Sequence, residues 1–155
     1  MSTSIGPSVL DSSLYISELR GKRKDTVFQE LIRCARSAGI VREPELLFET
    51  LALREKLGNT GIGKGVAIPN ARSIAVAEAR LVVARATKGI DWKAPDELPV
   101  QLVLMVLSPS ESSLEAHHEF LARAAAFGRL QRNRQRLIEA ADFEEAAALL
   151  REVTP

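Results

Sequence analysis

The chain has 155 residues, 46% of them hydrophobic, with 21 Lys+Arg against 20 Asp+Glu and a single cysteine, Cys34. The formal net charge of +1 excludes a dominant polybasic nucleic-acid arm or an acidic tail, and one cysteine excludes an internal disulfide framework and a Cys-rich zinc site. With no run of about 18 apolar residues and no basic-then-apolar leader, the expectation is a globular domain in the cytoplasm, without membrane insertion.

In chain order, residues 1–13 read as a loose arm ahead of one domain over 14–155, which begins with a short strand at 14–19 and a polar loop at 21–24. Thr26 and Gln29 fit a capping box, so a helix is predicted from Thr26, with Val27, Leu31 and Cys34 on its apolar face and Gly39 as its stop. A second helix is predicted from Pro44, tolerated in a first turn, carrying Leu47, Phe48 and Leu51 and ending at Gly58. Residues 58–69 hold four glycines and then Val66-Ala67-Ile68, which reads as a loop feeding a short buried strand stopped by Pro69.

A β-rich run follows at 81–86, and the nearly continuous apolar run at 99–107 has the character of a central strand covered on both faces. Ser112 to Glu115 form a second capping box, opening a helix to about Gly128, with two further helices expected near 133–141 and 143–153. Helices on both sides of the strand block predict an α/β sandwich. The arginines at 129, 132, 134 and 136 read as a solvated helix face; nucleic-acid binding is disfavoured with aromatics at only 5%. Trp92 lies in a loop-like segment as a cover for the sheet edge or a contact residue, and no His/Cys/carboxylate group has metal-ligand spacing.

The densest chemical signal is Gly61-Ile62-Gly63-Lys64-Gly65-Val66-Ala67-Ile68-Pro69-Asn70-Ala71-Arg72. Alternating glycines let backbone amides approach an anion, yet the GK[ST] ending of a Walker A loop is missing, and the glycines precede the strand rather than follow it. From residue chemistry alone the segment is a tight loop, a strand and a polar tip, with a plain glycine-rich turn as the competing reading. Beyond it, His117 and His118 stand near the start of the helix after the central strand. Positions 120, 121, 124, 127 and 128 form an unbroken apolar face with His117, whereas the period from His118 meets Ala122 and Arg129, so His117 is the one expected to point inward.

The run from Arg54 to Arg72 resembles the active-site signature of enzyme IIA domains of the fructose/mannitol class in the bacterial phosphoenolpyruvate-dependent phosphotransferase system, a group that includes the nitrogen-regulatory enzyme IIA proteins. The matching residues are Arg54-Glu55, Gly58-Asn59-Thr60-Gly61-Ile62-Gly63 and Gly65 through Arg72, and the likeness continues through residues 90–96, the 99–107 strand and the His117 helix. The resemblance implies a three-layer sandwich, a mixed central sheet with helices on both faces, and no cofactor or metal. In the family pattern the residue after Ile-Pro is the histidine that carries the phosphoryl group; here it is Asn70. Imidazole offers a nitrogen lone pair and a pKa near neutrality, whereas an amide nitrogen has its lone pair delocalised into the carbonyl.

His117 then matches the family's second, supporting histidine, and Arg54, Thr60 and Arg72 match positions for cations and a hydroxyl near a phosphate; the competing reading pairs each arginine with a nearby carboxylate such as Glu55. The expectation is a non-phosphorylatable regulatory or binding module that docks a phosphocarrier protein or a regulatory target through the surface around Asn70, with a homodimer as a further option. The alternative is an active phosphoryl carrier with His117 as acceptor, or a parent protein in which Asn70 is an engineered change.

Overall fold

The computed structural model describes residues 9–153. Its elements are β1 (Tyr15–Ile16), α1 (Lys24–Ser37), α2 (Pro44–Leu57), β2 (Gly61–Gly63), β3 (Val66–Ala67), β4 (Asn70–Ser73), β5 (Arg80–Ile90), β6 (Val100–Pro109), α3 (Leu114–Arg129), α4 (Gln131–Glu139) and α5 (Phe143–Leu149). The six strands form one mixed sheet in the order β1-β5-β6-β3-β2, with β4 also paired to β6. β5 and β6 are antiparallel; β1 runs parallel to β5, and β3 and β4 run parallel to β6.

Strict alternation along the two long strands builds two cores. Val82, Ala84, Val103, Met105 and Leu107 face α1 and α2, where Phe28, Leu31, Leu47 and Leu51 cover them. Leu81, Val83, Leu102, Leu104 and Val106 face the other way, against Phe120, Ala124, Phe127, Leu137 and Ala146 of α3 to α5. A strand buried on both faces has no polar side to show, which is why β6 reads as one apolar run. The three-layer sandwich is therefore present.

Local differences from the sequence reading have physical causes. α1 begins at Lys24, not Thr26: Thr26 occupies the third helical position, and its hydroxyl oxygen accepts from the Arg23 amide at 3.2 Å and donates back to the Arg23 carbonyl at 2.9 Å. Thr26 is thus the reaching-back half of the box rather than its cap, which is Arg23. Residues 61–67 hold a hairpin rather than a loop and one strand, because Gly63, Lys64 and Gly65 all adopt left-handed φ (89°, 60° and 84°) and turn β2 back onto β3. β4 is a strand where the sequence predicts a polar tip, since its buried residues include Asn70 and Ser73, which leave no apolar alternation to detect. Pro69 separates β3 from β4 but keeps its carbonyl in the ladder, accepting from the Val106 amide at 3.0 Å.

Of the arm expected over 1–13, residues 1–8 lie outside those described; Val9 is buried in the second core, and Asp11 caps a 3-10 turn over Ser12–Leu14. Trp92 is fully buried, a core residue rather than a cover. Among the described residues no helix is long and apolar enough to cross a membrane.

Candidate functional site

β4 and α3 meet at the far end of β6. The β4–β6 register sets Asn70 beside Val106 and Arg72 beside Ser108. α3 is started by Ser113, whose hydroxyl accepts from the Ala116 amide at 3.0 Å, and His117 lies one turn inside it. The helical phase buries His117 (5% exposed) and leaves His118 exposed.

The imidazole of His117 bridges the two strands. Its Nε2 is 3.3 Å from Asn70 Oδ1, its Nδ1 is 2.7 Å from Ser108 Oγ, and Asn70 Nδ2 donates to the Ile68 carbonyl at 3.1 Å. These contacts fix the protons. The Ile68 carbonyl only accepts, so the amide NH2 of Asn70 must face it and Oδ1 must face His117. Oδ1 only accepts, so Nε2 carries the ring proton. Nδ1 then holds the lone pair and accepts from the Ser108 hydroxyl. Both ring nitrogens are thereby occupied, and the Asn70 amide is held at both ends. Ser108 escapes sequence reading; the usable signal is its two-residue offset from Val106, which puts it on the α3 side of β6.

Burial, with smaller contributions from the neighbouring His118 and Arg72, lowers the His117 pKa from 6.5 to about 4. The neutral ring is the folded form at neutral pH. Because the folded pKa lies below the unfolded one, this residue's contribution is fully present above pH 6.5 and is lost as the pH falls towards 4, amounting to at most about 3 kcal/mol. Urea unfolding at pH 7.5 and pH 4.5 should therefore show the gap between the native chain and His117→Gln narrowing by that order; a pH-independent gap would contradict a buried neutral imidazole.

Of the three other residues singled out from sequence, Arg72 stands near His117, and all three have their polar groups engaged within the chain. Arg72 is exposed, and its guanidinium donates from Nε to the Ser112 carbonyl at 2.7 Å and from Nη2 to the Ser110 carbonyl at 3.1 Å, fastening the loop that leads into α3. Arg54 Nη1 donates to the Gly58 carbonyl at 2.7 Å and so closes the end of α2. Thr60 is buried; its amide donates to Glu55 at 2.9 Å, its hydroxyl also donates to Glu55, and the hydroxyl accepts from Trp92 Nε1 at 3.2 Å. Glu55 does not pair with Arg54: its partner is Lys24 of α1 at 2.9 Å. The Thr60 carbonyl accepts from the Ile68 amide at 2.9 Å, which ties this network to the segment two residues before Asn70. Among the described residues no His/Cys/Asp/Glu group is placed to hold a metal ion.

A helix-flanked mixed sheet with a polar cluster where one parallel strand and one helix start meet defines an α/β domain with a candidate site at that junction. The family model described as "Phosphoenolpyruvate-dependent sugar phosphotransferase system, EIIA 2" matches residues 8–153, and the chain belongs to that family. It is 30% identical over 122 residues to the fructose-specific EIIABC component of Bacillus subtilis, covering 79% of this chain and 19% of that protein, so the chain spans about a fifth of that relative's length. It is 31% identical over 130 residues to the fructose-specific EIIA component of Haloferax volcanii, covering 84% of each. The crystal structure of the nitrogen regulatory protein IIA-Ntr from Neisseria meningitidis superposes with a TM-score of 0.85 at 32% identity, covering 96% of this chain and 99% of that one. The resemblance read from residues 54–72 is thus shown at the level of family and fold.

Proposed function

We propose that this enzyme IIA domain is a regulatory or binding module of the phosphotransferase system that takes up no phosphoryl group itself. The observation that carries the reading is Asn70: it stands where the family pattern has the acceptor histidine, and its amide is held between Ile68 and His117. Acceptance of a phosphoryl group needs a nitrogen lone pair that forms the new N–P bond while the donor's bond breaks. The Asn70 amide has none, and the one lone pair of neutral His117 receives the Ser108 hydroxyl. The depressed pKa keeps His117 uncharged and suits a positioning role better than an exposed acceptor. Arg72, at the rim, supplies positive charge beside the pair. The partner on this reading is a phosphocarrier protein or a regulatory target in the cytoplasm, docking over the edge where Asn70 and His117 meet.

Intact-mass spectrometry after incubation with phosphoenolpyruvate, enzyme I and a phosphocarrier protein tests this. The native chain is expected to stay unmodified, and Asn70→His to gain one phosphoryl group. An adduct on the native chain that disappears in His117→Ala would overturn the proposal and make His117 the acceptor.

A further inference from the structure

The seam between α1 and α2 has a charge pattern that the Asn70 site does not use. Along its open part α1 presents cations and α2 presents anions, with Asp25 of α1 and Lys56 of α2 as the exceptions at the Lys24 end. At one end the pattern is closed within the chain, by Lys24 and Glu55 at 2.9 Å. At the other end the seam opens into a groove floored by Ile32, Pro44 and Phe48. Arg33 and Arg36 stand on the α1 wall and Glu45 and Glu49 on the α2 wall, all four exposed. None of these four side chains has an ion-pair or hydrogen-bond partner among the described residues. Two arginines facing two glutamates across a partly apolar floor, unpaired, form a self-complementary surface.

We infer that this groove is a homodimer interface, with a second copy of the chain as its occupant. A two-fold axis lying along the groove turns one copy's arginine wall onto the other's glutamate wall, and the same operation repeats each contact. An axis across the groove would oppose like charges, so the charges select one arrangement. The paired walls then enclose the two apolar floors, Phe48 among them, with the ion pairs at the rim, the order found in protein interfaces. Arginine suits such pairs because its planar fork engages a carboxylate through two bonds. The groove is on the α1/α2 side of the sheet, whereas His117 is on α3, so dimerisation leaves the Asn70 edge open; the inference does not depend on the proposed function.

Sedimentation velocity over a concentration series is the test, on the native chain and on two double variants, Arg33→Glu/Arg36→Glu and Glu45→Arg/Glu49→Arg, each checked for native circular dichroism. The native chain is expected to dimerise, more weakly at high salt. Each variant alone, with two like-charged walls, is expected to lose at least tenfold in association. An equimolar mixture of the two is expected to form a heterodimer, since acidic walls then meet basic ones. A native chain that stays monomeric into the millimolar range, variants that dimerise like the native chain, or folded variants whose mixture stays monomeric would each overturn the inference.

Discussion

Trp92→Ala is expected to destabilise the fold by about 4 kcal/mol, the usual loss for a large aromatic side chain removed from a core. The indole is completely buried beside α1 and contributes more than apolar area. Phe28 meets it edge-on at 5.9 Å, and the Lys24 ammonium lies 5.2 Å from the ring centroid. Its Nε1–H donates to the Thr60 hydroxyl, which itself donates to Glu55. The site cannot collapse easily onto the vacated volume, because Lys24 and Glu55 are partly buried charges that must stay paired. The backbone at Gly61 adds to the constraint: a Cβ there would lie 2.9 Å from the Ala94 Cβ and 3.3 Å from the indole, so the β2 backbone rests against the ring. Trp92→Phe restores most of the area and leaves the Thr60 hydroxyl without its donor, so about 1–2 kcal/mol of loss should remain. Urea unfolding followed by far-UV circular dichroism measures both variants, since Trp92 is the chain's one tryptophan and fluorescence disappears with it. A loss under about 1 kcal/mol for the alanine variant would show that the network does not depend on the indole.

Arg85→Met is expected to lower stability by about 3 kcal/mol, which for a chain of this size is a fall of about 6–12 °C in Tm. Arg85 leaves β5 towards the end of α4. Its Nη1 donates to the carbonyls of Leu137, Ile138 and Ala140 at 3.2, 2.8 and 2.9 Å, and its Nε donates to Ser17 at 3.0 Å. Helix-terminal carbonyls lack partners inside the helix and carry the negative end of its dipole, so one cation here satisfies several acceptors at once. The guanidinium also lies 5.6 Å from the Tyr15 ring. Arg85→Lys keeps the charge and loses the fork, and should recover less than half of the loss. Differential scanning calorimetry checks the ordering of native chain, lysine variant and methionine variant; equal Tm values for all three would remove the capping role.

Much of the scaffold is legible from periodicity. The apolar run of β6 and the Pro44 start of α2 are local signals that survive into the fold, and the box read over Ser112 to Glu115 is off by one, since Ser113 is the residue that caps α3. The phase that separates His117 from His118 is readable for the same reason: five apolar positions share the face of the first. What escapes is set by long-range pairing. β4 becomes a strand because it runs beside β6, although buried Asn70, Ala71 and Ser73 and exposed Arg72 show no apolar alternation. Ser108 gains its contact because α3 brings an imidazole to it. Glu55 looks like the natural partner of adjacent Arg54, yet neighbours in a helix point in different directions, and its partner comes from a helix 31 positions earlier in sequence.

The outer edge of β5 has a consequence for how the domain behaves in a crowded solution. β1 pairs with only two residues of this eleven-residue strand, at Val83 and Ala84. The segment after it finishes the job by other means: the Leu19 amide donates to the Arg85 carbonyl at 2.7 Å, and the Glu18 carboxylate accepts from the Thr87 amide and hydroxyl, each at 3.0 Å. An open strand edge is a template for another chain's strand, and a carboxylate laid along it repels such a visitor as well as occupying its hydrogen bond. The five residues from Tyr15 to Leu19 thus act as a gatekeeper, keeping the apolar β5–β6 pair from seeding intermolecular sheets.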